Sequence, residues 1–325
     1  MAISHLCPAP VRTEMRSDNA TSPLVPSCPS ADSGPMKRTL LVLGHGYTAM
    51  ALSDRLLAEG WAIIGTTRSP EKAAKLAARG VEPLIWPGTP LAPTLARATH
   101  LLASIGANAG GDPVLAAHGP EIATAALHIA WAGYLSTTGV YGDHQGGWVD
   151  EDTPLTPTTQ RGCWRVLAES QWRAITGLPV HIFRLAGIYG PGRGPFEKVR
   201  DGSARLIIKK DQFMSRAHVD DIAAVLHASI LNPAPGAAYN ICDDEPTPPE
   251  VVLRYAARLL NLPDPPEVPF EMAEMNPMAR SFYSESKKVR NDKIKRDLGV
   301  QLAYPTYREN LAAILASGQT QDRDA

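Results

Sequence analysis

The sequence has little of what would assign a function at a glance. Of its 325 residues only four are cysteine, Cys7, Cys28, Cys163 and Cys242. They are widely separated and form no C-x-x-C pair, which argues against a disulfide framework or a zinc site and fits reduced thiols in a cytoplasmic protein. Neither sign of charge is in excess: 32 Lys and Arg face 33 Asp and Glu, a formal net charge of −1. That leaves no electrostatic reason to expect a nucleic-acid or anionic-membrane partner. No stretch approaches the roughly 18 uninterrupted apolar residues of a membrane span. The first 35 residues lack the basic start and apolar core of a secretory signal. They are rich in Pro, Ser and Ala without sustained period, so residues 1–35 read as a disordered tail or an over-extended start, and residues 317–325 as a second tail. The rest, within a chain that is 44% hydrophobic and 20% charged, is long enough for one large soluble domain or two modest ones.

From Arg38 onward short apolar runs alternate with helical spacing. Strands are expected at Thr39–Leu43, Trp61–Thr66, Glu82–Trp86, Thr99–Ile105, Gly133–Thr137 and Val180–Leu185, and helices at Tyr47–Ala58, Pro70–Ala78, Glu121–Ala132 and Thr158–Thr176. Strands separated by helices imply an α/β fold with a doubly wound parallel sheet. Residues 36–185 are assigned to this Rossmann-type domain. Beyond it the alternation weakens, and residues 186–316 are assigned to a smaller substrate-binding region with helices at Val219–Leu231, Pro249–Leu260 and Lys287–Leu298. Ligands in such folds lie beyond the carboxyl ends of the strands, so this second region would close over the crevice.

Gly44-His45-Gly46-Tyr47-Thr48-Ala49 joins the first strand to the first helix and fits G-x-G-x-x-[G/A]. The first glycine permits the tight turn, the second lets a pyrophosphate approach the backbone, and the helix N-terminus favours the anion. Gly44, His45, Gly46, Tyr47 and Thr48 are therefore candidate cofactor contacts. At the end of the second strand an NAD site carries Asp or Glu for the ribose 2′-hydroxyl. This chain has Thr67-Arg68-Ser69 there. Arg68 can pair with a 2′-phosphate, with Thr67 and Ser69 adding hydrogen bonds, which favours NADP(H) while NAD(H) stays open. Ser104 and Ile105, at the end of the fourth strand, are placed on the nicotinamide side.

Several further segments resemble the extended short-chain dehydrogenase/reductase superfamily, the NAD-dependent epimerase/dehydratase type. They are Leu135-Ser136-Thr137-Thr138-Gly139-Val140-Tyr141-Gly142, Arg184 through Ile188 to Gly192 (R-x-x-x-x-Y-G-P-G), His218-Val219-Asp220-Asp221-Ile222-Ala223, Tyr239-Asn240-Ile241 and Tyr304-Pro305-Thr306-Tyr307. The resemblance spans about residues 37–315. It implies a nicotinamide cofactor, a small-molecule substrate and, in related proteins, pairing of two copies through the helices flanking the fifth strand. It also implies a Ser/Thr that orients the substrate oxygen, a Tyr acid/base, and a Lys four residues on that holds the nicotinamide ribose. Thr137 matches the Ser/Thr, and Ile188 falls in the segment beside the nicotinamide.

The Tyr and Lys positions hold Arg161 and Arg165. A guanidinium does not deprotonate near neutral pH, so Arg161 cannot be the acid/base; Arg165 can still donate to the ribose. Tyr141 is then either a replacement proton donor or a packing aromatic. Arg193 and Arg216 are candidate substrate-anion contacts. The run Lys287-Lys288-Val289-Arg290 reads as a solvated face opening a helix. Three functions stay open: an atypical NADP(H)-dependent oxidoreductase on a small polar carbonyl or alcohol, a non-catalytic NADP(H)-binding sensor or scaffold, and a sugar-nucleotide epimerase or dehydratase.

Overall fold

Seven parallel strands form the central sheet of this computed structural model, which describes residues 38–318. The expectations for residues 1–35 and for most of 317–325, with Cys7 and Cys28, fall outside the described residues. In chain order the sheet strands are β1 (Thr39–Leu43), β2 (Ala62–Thr67), β3 (Glu82–Ile85), β4 (His100–Ala103), β5 (Trp131–Thr137), β7 (Val180–Leu185) and β11 (Ala238–Ile241). Their spatial order is β11-β7-β5-β4-β1-β2-β3. The chain runs outward from β1 to β3, returns to β4 on the other side of β1, and continues to the opposite edge. The crevice between β1 and β4 is therefore the switch point where ligands bind in such sheets. The expected Rossmann-type architecture is present.

The helices that connect these strands are α1 (Tyr47–Ala58), α2 (Pro70–Ala78), α3 (Ala92–Leu95), α4 (Pro113–Ala125), α5 (Gln160–Arg173) and, later, α7 (Val219–Leu231). They cover both faces, so the strands are buried on both sides and mostly apolar, with polar exceptions such as Arg184 and Asn240. Alternation along β1 shows the two layers: Leu40 and Val42 pack with Leu52 of α1 and Leu226 of α7, whereas Leu41 and Leu43 pack with Val114 and Ile122 of α4. Truncating any of these fully buried leucines to Ala would cost about 2–5 kcal/mol.

Two boundaries depart from the periodicity. Helix α4 starts at Pro113, where Asp112 caps it by accepting from the Val114 amide at 2.8 Å, and it ends before Trp131 opens β5. Gly119 and Pro120 kink it near His118, which hides the first half from a helical reading. The stretch Lys287–Leu298 is not one helix. It divides into a short strand and α10 (Asp292–Leu298).

The chain after residue 185 contributes to two places. β11 extends the sheet beside β7, and α7 lies against α1. The remainder forms two-stranded parallel pairs: β8 (Gly187–Tyr189) with β10 (Arg216–His218), β9 (Leu206–Ile208) with β12 (Glu267–Pro269), and β6 (Trp148–Val149) with β13 (Lys288–Val289). Helices α6 (Phe196–Arg200), α8 (Pro249–Leu259) and α11 (Tyr307–Ala316) share a core around Phe196, Ala256 and Leu311, and α9 (Pro277–Phe282) stands apart from it. Thr306, in the Tyr304–Arg308 segment, caps α11 in a reciprocal pair with Glu309.

Candidate active site

The β1–α1 turn is built by its glycines. Gly44 has φ of +87°, and a Cβ there would come within 2.6 Å of Ile105 Cγ1, so the exit of β4 closes directly over the turn. At Gly46 a Cβ would meet nothing nearer than the Gly44 carbonyl at 3.9 Å, which is open space where a diphosphate would approach. Gly46 is the N-cap of α1, and no side chain caps this helix. The geometry suits an anion on the first turn.

The two amides before it are already used. Gly44 donates to Thr66 Oγ1 at 2.7 Å and His45 to the Thr66 carbonyl at 3.0 Å. His45 departs from its expected role as a cofactor contact. Its ring is buried, pairs through Nε2 with Ser53 Oγ at 2.9 Å, and fills a slot over Gly65, where a Cβ would be 2.8 Å from its Cδ2. Burial, aided by nearby Lys72, lowers its pKa to about 4, so it carries no charge to offer a phosphate. Thr48 is also buried. Tyr47 donates its hydroxyl to the Pro191 carbonyl at 3.0 Å, tying the start of α1 to the segment after β8.

At the end of β2 the three candidates separate. Thr67 is buried and accepts from the Ser69 amide at 3.3 Å. Ser69 caps α2, accepting from the Lys72 amide at 3.2 Å and bonding Glu71. The Ser69 hydroxyl is thus committed to the turn, whereas that of Thr67 is used only as an acceptor. Arg68 is exposed and makes no hydrogen bond or ion pair among the described residues.

A cleft of about 380 Å³ opens at the carboxyl ends of β5 and β7. Thr137, Arg161, Arg165, Ile188 and Arg193 line it on one side; Phe213, Ser281, Phe282, Glu285 and Lys287 close it from the other. Thr137 ends β5, and its Oγ1 accepts from the Gly139 amide at 3.2 Å. Ser104 and Ile105 follow β4, with the Ser104 amide bonded to the Leu43 carbonyl at 2.8 Å. Arg165 Nη1 donates to the Leu135 carbonyl at 2.8 Å and to Tyr134 Oη at 2.9 Å, with a longer contact of 3.4 Å to the Ile105 carbonyl. It therefore joins the exits of β4 and β5 and brings a fixed positive charge to the cleft. Arg161, one turn earlier on α5, donates to Ser281 Oγ at 3.1 Å and stacks over Phe282 with 4.9 Å to the ring centroid.

Two expected site residues lie elsewhere. Tyr141 is fully buried; its hydroxyl donates to Asn240 Oδ1 at 2.7 Å and accepts from Arg184 Nη1 at 2.9 Å. Burial pushes the phenol up to about 12. It belongs to the core network around the Arg184–Glu169 ion pair, 2.9 Å apart, and cannot reach a substrate. Arg216 is not in the cleft wall. It donates to the Met214 and Thr247 carbonyls at 3.0 and 3.1 Å, bracing a turn beside buried Asp243.

One ion pair in the cleft lining escaped the sequence reading. Lys287, expected on a solvated face, is nearly buried at the cleft. It donates to Glu285 Oε2 and to the Gly142 carbonyl, both at 2.7 Å. Pairing of β13 with β6 places it there, and no local periodicity announces that contact. Among the described residues no group of three or more His, Cys, Asp or Glu could hold a metal ion, and no helix is long and apolar enough to cross a membrane.

No family model matches the chain. The protein YeeZ of Escherichia coli strain K12 is 30% identical over 284 residues, covering 83% of this chain and 97% of that protein. The chain belongs to the YeeZ family. A functionally unknown conserved protein from Silicibacter pomeroyi DSS is similar at 59% identity with a TM-score of 0.84, over 87% of this chain and all of that one. A 3-diazoavenalumate denitrifying reductase from Streptomyces sp is 28% identical over 182 residues, half of this chain and 58% of that enzyme. The fold extends to the epimerase/dehydratase type of the extended short-chain dehydrogenases. The dTDP-glucose 4,6-dehydratase of Bacillus anthracis, solved with NAD, superposes with a TM-score of 0.69 at 15% identity over 88% of this chain and 98% of that one. The YeeZ-family chain thus has the extended short-chain dehydrogenase/reductase fold that its motifs resemble.

Proposed function

We propose that this protein is an NADP(H)-dependent oxidoreductase that reduces a small polar carbonyl, or oxidises the matching alcohol, in the cleft at the ends of β5 and β7. The observation that carries the proposal is Arg68: an exposed cation without a partner among the described residues, one residue past β2, where an NAD site would hold a carboxylate. The open space at Gly46 and the uncapped start of α1 fit the diphosphate. Structural neighbours solved with NAD support a nicotinamide dinucleotide, without favouring NADP, and a relative named as a reductase supports redox chemistry.

When bound, the dinucleotide supplies or accepts the hydride. Thr137 holds the substrate oxygen, and Arg165 adds positive potential beside it. The product oxygen must also receive a proton. The cleft guanidiniums hold theirs, and Tyr141 is sequestered in the core. Lys287 brings an ammonium to the lining beside Glu285, and it is assigned as the donor.

Fluorescence titration of the full chain with NADPH and NADH, followed by turnover with carbonyl substrates, tests the reading. Saturable binding with NADPH at least tenfold tighter, and NADPH oxidation, is the expected result. Binding of neither cofactor overturns it. NADPH binding without turnover on any carbonyl would favour a sensor or scaffold, the reading suggested by Arg161 and Arg165 in the Tyr and Lys positions.

A further inference from the structure

The cleft holds more positive charge than its own residues neutralise. Four cations line it, Arg161, Arg165, Arg193 and Lys287, against one carboxylate, Glu285. That carboxylate is spent inside the wall: Lys287 binds one oxygen at 2.7 Å and Thr158 Oγ1 donates to the other at 2.7 Å. Three guanidiniums remain, and none forms an ion pair among the described residues. Arg165 donates only to neutral acceptors on β4, β5 and the segments after them. Like charges converging on a concave wall repel one another and attract an anion.

The three differ in what they can meet. Arg193 stacks near Tyr47, the first residue of α1, 5.8 Å from its ring centroid, and so faces the phosphate end of the cofactor site. Arg165 is held against the strand ends. Arg161, one turn earlier on α5, reaches across to the facing wall, where it has one hydrogen bond, to Ser281, and a ring beneath it. Stacking on Phe282 fixes the guanidinium plane and leaves most of its five N–H groups for a ligand. A carboxylate matches two parallel N–H bonds of that fork. Around it, Phe213, Met214 and Phe282 supply an apolar lining.

We infer that the cleft takes an organic carboxylate with an apolar or aromatic body, its anion held by Arg161 against the Ser281–Phe282 wall. This rests on the proposed reading that the cleft is the substrate site, and it gives the arginine at the usual Tyr position a role in recognition. The residue that would have moved a proton instead selects the substrate.

The test is calorimetric binding of benzoate, benzamide and phenyl phosphate to the full chain, with and without NADPH. Benzoate is expected to bind at least tenfold more tightly than benzamide. Arg161→Gln should remove at least tenfold of the benzoate affinity, leave NADPH affinity within twofold, and be partly rescued by Arg161→Lys. Equal binding of benzoate and benzamide, or benzoate affinity indifferent to Arg161→Gln, overturns the inference. Phenyl phosphate binding tenfold more tightly than benzoate overturns the carboxylate assignment. If NADPH fails to bind while benzoate is still preferred through Arg161, the cofactor reading falls and the anion site stands. If NADPH binds but benzoate is not preferred, only the inference falls.

Discussion

The Tyr141 hydroxyl donates to Asn240 Oδ1 at 2.7 Å, joining the turn after β5 to the edge strand β11. Arg184 Nη1 donates to the Tyr141 hydroxyl oxygen at 2.9 Å, so the phenol links a buried amide to a buried ion pair. Tyr141→Phe removes an acceptor from Arg184 and a donor from Asn240, and should cost about 1–3 kcal/mol of stability. Turnover should stay within about twofold at a temperature where the variant is folded. Denaturant unfolding and steady-state kinetics check both halves. A collapse in kcat with unchanged stability would return Tyr141 to the chemistry.

What could be read from the sequence was what is local. The glycine turn, the strand before it and the helix after it are contiguous, and Arg68 stands one residue past a strand whose apolar run marks its end. What could not be read was set by contacts between distant segments. His45 occupies the variable position of the glycine motif, which is ordinarily counted with the loop, yet it turns inward because Gly65 on β2 has no side chain to stop it. Lys287 sits in a polar run that resembles a solvated face, and only the β6–β13 pairing carries it into the cleft. Tyr141 falls in a motif beside the crevice, but its direction depends on Asn240 and Arg184, far along the chain.

Arg68 gives the most direct handle on cofactor choice. A charge-assisted bond to a 2′-phosphate is worth about 1.5–3 kcal/mol, roughly 10- to 150-fold in affinity. Arg68→Asp removes that bond and puts a carboxylate where a ribose 2′-hydroxyl can donate to it. NADPH affinity should fall by at least tenfold while NADH affinity holds or improves. Because Arg68 has no partner to lose among the described residues, the melting temperature of the unliganded protein should not move. Equal losses for both cofactors in the fluorescence titration would remove Arg68 from phosphate recognition.

His45 predicts an acid limb in the stability curve. Its folded pKa is lowered to about 4 against 6.5 for a free imidazole. The unfolded chain therefore binds a proton that the folded one does not between those values. Stability is full above pH 6.5 and is lost as pH falls toward 4, by about 3 kcal/mol in all. His100, also buried with a pKa lowered to about 4, adds a second step of the same sign. His45→Gln keeps a side chain able to meet Ser53 and does not titrate, so the melting temperature of that variant should fall less steeply from pH 6.5 to 4.5. An unchanged slope in calorimetry would show that the ring is already accessible to protons in the folded state.

Lys287 carries the proton in the proposed reaction, and its removal has to be separated from damage to the wall it belongs to. Lys287→Met alone strands Glu285 at the cleft without its cation, and breaking a buried pair costs about 3–5 kcal/mol, so a drop in activity there could reflect lost structure. The double variant Lys287→Met with Glu285→Gln removes both charges together and still leaves Thr158 an acceptor. It should unfold within about 1–2 kcal/mol of the parent and bind NADPH unchanged. If Lys287 is the donor, kcat in the double variant falls by about 10²- to 10⁴-fold, the usual worth of general acid help. A double variant that is stable, binds cofactor and turns over at the parent rate would mean the proton comes from solvent, with Lys287 and Glu285 only bracing the loop after Tyr141.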